Sequence, residues 1–148
     1  MTLLTRKVDY AILVMSYLHG HSAGASAREI AACFNLSRAF VANILKELCS
    51  KGYVSSHRGV NGGYALLRPL ELVTLAEFID ALEPHSVQLA ACTQNDPGDG
   101  CSLIDSCPVR QPIAEIHNRI RAVLDGVTLA ELFRRRPHVE SELLTVGV

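Results

Sequence analysis

The chain has 148 residues, 49% hydrophobic and 20% charged, enough for one domain with a buried core that does not need its five cysteines as staples. That composition excludes a mainly disordered or collagen-like chain, and no apolar run reaches the roughly 18 residues of a membrane span. Net charge is −1, yet residues 1–68 hold eight Lys/Arg against three Asp/Glu and residues 69–148 hold six against twelve, so a localised polyanion-binding face is expected in the first half.

Residues 6–18 read as an amphipathic first helix, with Val8, Ile12, Met15 and Leu18 near helical spacing. Arg6-Lys7, the apolar stretch after it and the small residues of 23–27 loosely imitate a secretory signal. Asp9 and Tyr10 interrupt that pattern, and an odd cysteine count suits a reducing compartment, so a cytoplasmic protein is expected. Ser26-Ala27-Arg28-Glu29 is a capping box that opens a short second helix ending near Cys33. After the break Phe34-Asn35-Leu36, Ser37 caps a third helix from Arg38 to about Ser50. Two helices joined by three or four residues, the second longer, form the helix-turn-helix pattern.

A hairpin follows, with 54–57 and 64–67 flanking a glycine-rich turn in which Asn61-Gly62 would supply positive φ. A helix-turn-helix followed by a hairpin carrying Arg58 is a winged helix, with Arg58 set against a phosphate or in a minor groove. Thr74 and Thr128 each open a Thr-Leu-Ala-Glu capping box, the first for a helix ending at Pro84. Between them lie a polar loop over 89–108 and a long helix over 109–125. Ile113, Ile116, Ile120, Val123 and Leu124 recur along that helix at spacings of three and four. Such a stripe suits dimerisation, or else packing on the first helix of the same chain. A last short helix spans 129–135, and the tail from His138 is expected to fray. The expected organisation is a winged helix-turn-helix domain over 1–84, a cluster-binding loop over 85–108, a dimerisation helix with a short terminal helix over 109–135, and a tail over 136–148. The fold class is mainly α.

On the recognition helix, Val41, Ile44, Leu45 and Leu48 mark the buried face, leaving Arg38, Ala39, Ala42, Asn43 and Lys46 outward. Asn43 suits a bidentate contact to adenine, and Arg38 a guanine or a phosphate. Ser26, Ser37, Asn61 and Gly62 complete the candidate DNA contacts with Arg58. Cys33 and Cys49 fall at helical positions where cysteine serves as a small buried hydrophobe. Cys92, Cys101 and Cys107 instead share one polar loop, spaced C-x8-C-x5-C. Clustered thiolates are what a soft metal or an iron–sulfur cluster requires. The paired spacing of structural zinc is missing, and one disulfide plus an odd thiol stays open as the alternative. No nucleophile–base pair, phosphate loop or paired-carboxylate cleft is visible, so an enzyme is not expected.

Leu4-Thr5, Asp9-Tyr10-Ala11, the run from Val54 to Gly59, Gly62-Gly63-Tyr64 and the three-cysteine loop together resemble the Rrf2 family of transcription regulators over about residues 1–135. His57-Arg58-Gly59, Arg68-Pro69, Cys107-Pro108-Val109-Arg110 and Gly126-Val127-Thr128-Leu129 are most similar to the branch that regulates the SUF iron–sulfur assembly operon. The resemblance implies a homodimeric winged-helix repressor of a near-palindromic double-stranded operator. It also implies an iron–sulfur cluster, [2Fe–2S] or [4Fe–4S], held by Cys92, Cys101 and Cys107. Cluster-sensing members take a histidine three residues after the last cysteine, where this chain has Arg110. Nitric-oxide-sensing members take an N-terminal aspartate from the partner subunit, a position that Asp9 matches. His85 and His117 are further candidates for the fourth ligand. Ser37, Asn43 and Arg58 match family contact positions in type, and Ala42 stands where a cluster-controlled member has a glutamate that excludes some sites. A nitric-oxide or redox sensor of the same family, and an iron–sulfur or zinc carrier with an architectural winged helix, are the alternative functions.

Overall fold

The computed structural model describes residues 4–93 and 101–134, so the expected fraying of the tail lies outside the described residues. Helix α1 (Arg6–Gly20) begins where the Thr5 hydroxyl accepts the Val8 amide, and it runs two residues past the expected end. Helix α2 (Ala27–Phe34) carries the full capping box. Ser26 Oγ accepts the Glu29 amide at 3.2 Å, while the Ser26 amide donates to Glu29 Oε2 at 2.7 Å. The Ser26 amide foremost, then the Ser26 hydroxyl, which also donates to Oε2 at 2.7 Å, hold the Glu29 carboxyl below its ordinary pKa. Asn35 then turns the chain through left-handed φ (53°), and α3 (Arg38–Ser50) starts where Ser37 Oγ accepts the Phe40 amide at 3.1 Å.

Strands β1 (Val54–His57) and β2 (Gly63–Leu66) pair antiparallel from Val54↔Leu66 to His57↔Gly63, so the second strand sits one residue earlier than expected. The expected positive φ at Asn61-Gly62 is absent. Among the described residues of the hairpin loop, Gly59 takes it instead (φ 118°). The connection has five residues, too long for a two-residue turn, and it closes by a Gly62 N–H bond to Gly59 O at 2.9 Å. Gly62 is required by close approach: a Cβ there would lie 2.6 Å from His57 O. Gly63 is required for the same reason, because a Cβ would meet Ala25 O at 2.8 Å. There the hairpin is stitched to the start of α2 by Tyr64 N–H to Ala25 O (2.7 Å) and Ala25 N–H to Tyr64 O (2.9 Å).

Helix α4 (Leu75–Leu82) keeps only the amide half of its expected capping box. The Glu77 carboxylate accepts from Arg68 at 2.7 Å, and the Arg68 guanidinium lies 5.2 Å from the centre of the Tyr53 ring. Helix α5 spans Arg110–Asp125 and α6 spans Leu129–Arg134. The segment before α6 returns to the start of α4 through Leu75 N–H to Val127 O (2.8 Å) and Leu129 N–H to Val73 O (2.9 Å). Leu129 and Ala130 thereby enter the core formed by Val8, Val14, Leu18, Ile30, Val41, Leu45, Leu48, Phe78 and Ile79.

Two expectations about single elements change. Cys33 is exposed, because it falls outside the stripe on which α2 buries Ala27, Ile30 and Ala31, while Cys49 is partly buried against the core as expected. Helix α5 buries none of its residues completely and packs on α4 and on the short 3-10 turn Ala91–Thr93. One flank of its stripe, Ile120 and Leu124, touches the core. The other flank, Val109 before the helix with Ile116 and Val123 within it, repeats every seven residues and is 58%, 48% and 67% exposed.

Candidate nucleic-acid interface and the cysteine loop

The α3 stripe Val41, Ile44, Leu45 and Leu48 is buried as expected, and this fixes the outward face of the helix. Ser37, Arg38, Ala39, Asn43 and Lys46 are all exposed along it. Seating the hairpin on Ala25 brings the wing beside that face. Ser26, Arg28, Arg38, Ala42, His57 and Arg58 line one groove of about 450 Å³ between α2, α3 and β1. Three arginines lining one concavity, with two helix N-termini opening near it, are the chemistry expected of a site for polyanionic oxygens. A neighbouring cavity of about 490 Å³ is lined by Ser26, His57, Asn61 and Gly62. The Ser26 hydroxyl already donates to Glu29 Oε2 at 2.7 Å, so its cap competes with any external acceptor.

Arg28 and His57 were not among the sequence-derived contacts. Arg28 lies in the first turn of α2, on the polar side of a capping box, and only the tertiary approach of the wing makes it part of a groove. His57 is the last residue of β1, with its ring Nε2 3.2 Å from Ser55 Oγ.

The cysteine loop is built differently. Cys92 lies on the 3-10 turn that packs against α5. Cys101 and Cys107 bracket consecutive turns, closed by Ile104 N–H to Cys101 O (3.1 Å) and Ser106 N–H to Leu103 O (3.0 Å). The chain between Cys92 and Cys101 lies mostly outside the described residues. All three thiols are free and partly exposed, and none forms the alternative disulfide. Cys107 borders a shallow cavity with Ile104, Asp105, Arg110, Gln111 and Ala114. Arg110 donates to Ile104 O at 3.2 Å, so the position three residues after the last cysteine is bound into the loop backbone.

Among the described residues, no three His, Cys, Asp or Glu side chains gather into a group that would hold a metal ion. Asp9 is exposed in the first turn of α1, His85 is exposed and His117 is partly buried. Three free thiols on one loop suit an iron–sulfur cluster as a donor set. Among the described residues, one chain does not bring them and a fourth ligand round a common centre. No helix among the described residues is long and apolar enough to cross a membrane.

Residues 4–135 match the Rrf2 family, described as iron-dependent transcriptional regulators. Protein aau3 of Rhizobium meliloti is 32% identical over 137 residues, which cover 92% of this chain and 88% of that protein. Among solved structures, CymR (YrzC), the global cysteine regulator of B. subtilis, superposes with a TM-score of 0.72 at 26% identity, over 92% of this chain and 99% of that one. T. potens IscR shares the fold, with a TM-score of 0.65 at 24% identity, over 88% and 85% of the two chains. The matching family and CymR are both described as regulators, and in a helix-turn-helix protein the recognition helix is the part that enters the DNA groove. The chain belongs to the Rrf2 family of transcriptional regulators.

Proposed function

We propose that the chain is a homodimeric repressor of iron–sulfur assembly genes, controlled by a cluster bound through Cys92, Cys101 and Cys107. The observation that carries the DNA-reading half is the groove in which Arg28, Arg38 and Arg58 converge between the recognition helix and the wing. Ser37, Arg38, Ala39, Asn43 and Lys46 then face the major groove. Arg58, Asn61 and Gly62 of the wing, with Ser26, lie along the backbone. Asn43 suits adenine, while arginines that meet phosphates set affinity and its salt dependence.

The exposed row Val109, Ile116 and Val123 supports the dimer, because a seven-residue apolar repeat is the seam on which two helices pack. A two-fold axis along α5 presents two α3 helices to the two halves of a near-palindromic operator. The three free thiols and the family match support the sensor half. A bound cluster supplies an iron- and oxygen-sensitive group at the foot of α5. This chain's own part is to hold the loop against α5 through the turn at Ala91–Thr93 and to leave Asp9 exposed for a second subunit. The domain limits 1–84, 85–108 and 109–135 are those of reader, sensor loop and dimer arm in this scheme.

Visible absorption, iron and acid-labile sulfide of protein purified without oxygen, beside a Cys101→Ala variant, test the reading. A brown wild type with iron and sulfide, and a colourless variant, are the expected result. Colourless wild type after anaerobic reconstitution contradicts cluster control. It leaves a DNA-binding regulator whose loop thiols sense redox state or nitric oxide directly.

A further inference from the structure

A second cavity lies where the winged helix meets the α5 arm, away from the groove and from Cys101 and Cys107. Its volume is about 350 Å³, and Asp80, Pro84, His85, Val87, Gln88, Thr93, His117 and Arg121 line it. That is the small end of ligand pockets, which run roughly 300–1,000 Å³, and it suits a compact metabolite better than a nucleotide. Its walls come from α4, from the segment that ends in the Ala91–Thr93 turn, and from α5.

Two features mark it as more than a packing gap. The Nδ1 atom of His117 is buried with no hydrogen-bond partner. A buried ring nitrogen is costly to leave unpaired, so a partner supplied at the cavity wall stabilises the fold. His85, on the rim, takes left-handed φ (67°) as the third residue of the Glu83–Ser86 turn behind Pro84, closed by Ser86 N–H to Glu83 O at 3.2 Å. Arg121 donates two bonds to Asp80 (Nη1 to Oδ1 at 2.9 Å, Nη2 to Oδ2 at 2.7 Å), so opposite charges stand side by side in the wall. The guanidinium keeps N–H groups beyond those two, and each carboxylate oxygen keeps lone-pair capacity.

We propose that this cavity is an effector site for a small zwitterion of the α-amino-acid class. The ligand carboxylate takes the remaining Arg121 donors and His117 Nδ1–H, its ammonium turns to Asp80, and its side chain rests on Val87 and Pro84. A simple anion satisfies only one member of the Arg121–Asp80 pair, which is why a molecule carrying both charges fits the wall. Because α5 buries none of its residues completely, an occupant joining Arg121 and His117 to Asp80 firms its seat on the winged helix. This inference goes beyond the proposed function and rests on one part of it, that Asp9 of a second subunit and not His117 serves as the fourth ligand of any cluster on the neighbouring loop.

The test is imidazole 15N NMR of the full chain, titrated with each common α-amino acid and, as controls, their methyl esters and the matching simple carboxylic acids. His117→Phe fills the cavity, and Thr93→Val is a milder change on the opposite wall. The expected result is an amino acid that moves the His117 Nδ1 signal and binds about tenfold or more weakly to His117→Phe, the loss anticipated for one charged hydrogen bond. The esters are expected not to bind, and Thr93→Val is expected to weaken binding less. The inference is overturned if no amino acid moves the signal, or if simple acids bind as well as amino acids. Should His117→Phe fail to fold, unaltered affinity in Thr93→Val together with an unmoved wild-type His117 signal overturns it equally.

Discussion

The winged helix and the α5 arm are two solutions to burial within one chain. In the first, α1 to α4 and α6 contribute to one core, capping side chains satisfy the helix starts, and the hairpin is locked to Ala25 by two backbone bonds. The backbone that carries its candidate DNA contacts is therefore held in place before any partner arrives. In the second, α5 leans on α4 and a 3-10 turn, with the Arg121–Asp80 pair as its strongest polar tie and one apolar flank left open. A reader of fixed shape gains from preorganisation, whereas a regulatory arm must have more than one accessible position. In the proposed scheme, reading falls to the first region and response to the second.

The sharpest way to break that contrast is the same kind of truncation in both regions. Leu45→Ala removes a fully buried side chain of α3 and is expected to cost about 2–5 kcal/mol in urea unfolding. Val123→Ala, on the open flank of α5, is expected to stay within about 0.5 kcal/mol when measured at concentrations too low for association. Equal losses at the two sites would show that the arm belongs to the same cooperative core.

Ser26→Ala deletes the cap of α2, with an expected cost of about 0.5–2 kcal/mol by the same measurement. The reciprocal bond from Glu29 gives a pH signature. Its carboxyl is held below the ordinary range, so the stabilisation is present above the unfolded pKa and lost as pH falls through the lower folded value. Glu29→Gln, which removes the titrating group, should flatten that acid limb, and an unchanged limb would mean that the bonds from Ser26 to the carboxylate contribute nothing to it.

Asp80→Asn weakens a pair whose side chains are 28% (Arg121) and 41% (Asp80) exposed, which limits the expected cost to about 0.2–1 kcal/mol. Its larger effect should be local: amide exchange quickens along α5 and stays unchanged in α3. Faster exchange in both would erase the distinction between arm and reader.

The smallest effect is expected at alkaline pH. Burial, then the nearby Glu77 carboxylate, pushes the Tyr53 phenol above its ordinary pKa. Stability tied to the neutral phenol is therefore full below the unfolded value, near about 10, and lost as pH rises through the raised folded value. Tyr53→Phe should reduce the alkaline loss in a pH series of urea midpoints.

Much of the reader was legible because its signals are local. The Ser26-x-x-Glu29 box, the Ser37 cap and the four-residue stripe of α3 each act over one or two turns, and all are formed. The hairpin was legible in place but not in turn type, because Asn61-Gly62 carries the letters of a tight turn while the five-residue loop puts its positive φ at Gly59. Cys33 was misplaced because a two-turn helix gives too few residues to fix the edge of its stripe. What sequence could not reveal is tertiary. The wing turns Arg28 into a groove residue, Asp80 finds Arg121 at a separation of 41 residues, and Glu77 leaves its cap for Arg68. For the loop, spacing and residue type supplied the candidate ligands, but whether the folded chain brings them round one centre is a matter of tertiary geometry that spacing does not carry.

The most direct test of the central claim uses operator duplexes selected from random DNA and followed by fluorescence anisotropy without oxygen. Iron-loaded and iron-stripped wild type are compared with the triple variant Cys92→Ala, Cys101→Ala, Cys107→Ala. The account requires that the two wild-type forms differ in operator affinity and that the triple variant binds identically under both conditions. Equal affinity of the two wild-type forms, or a triple variant that still responds to iron, would contradict it.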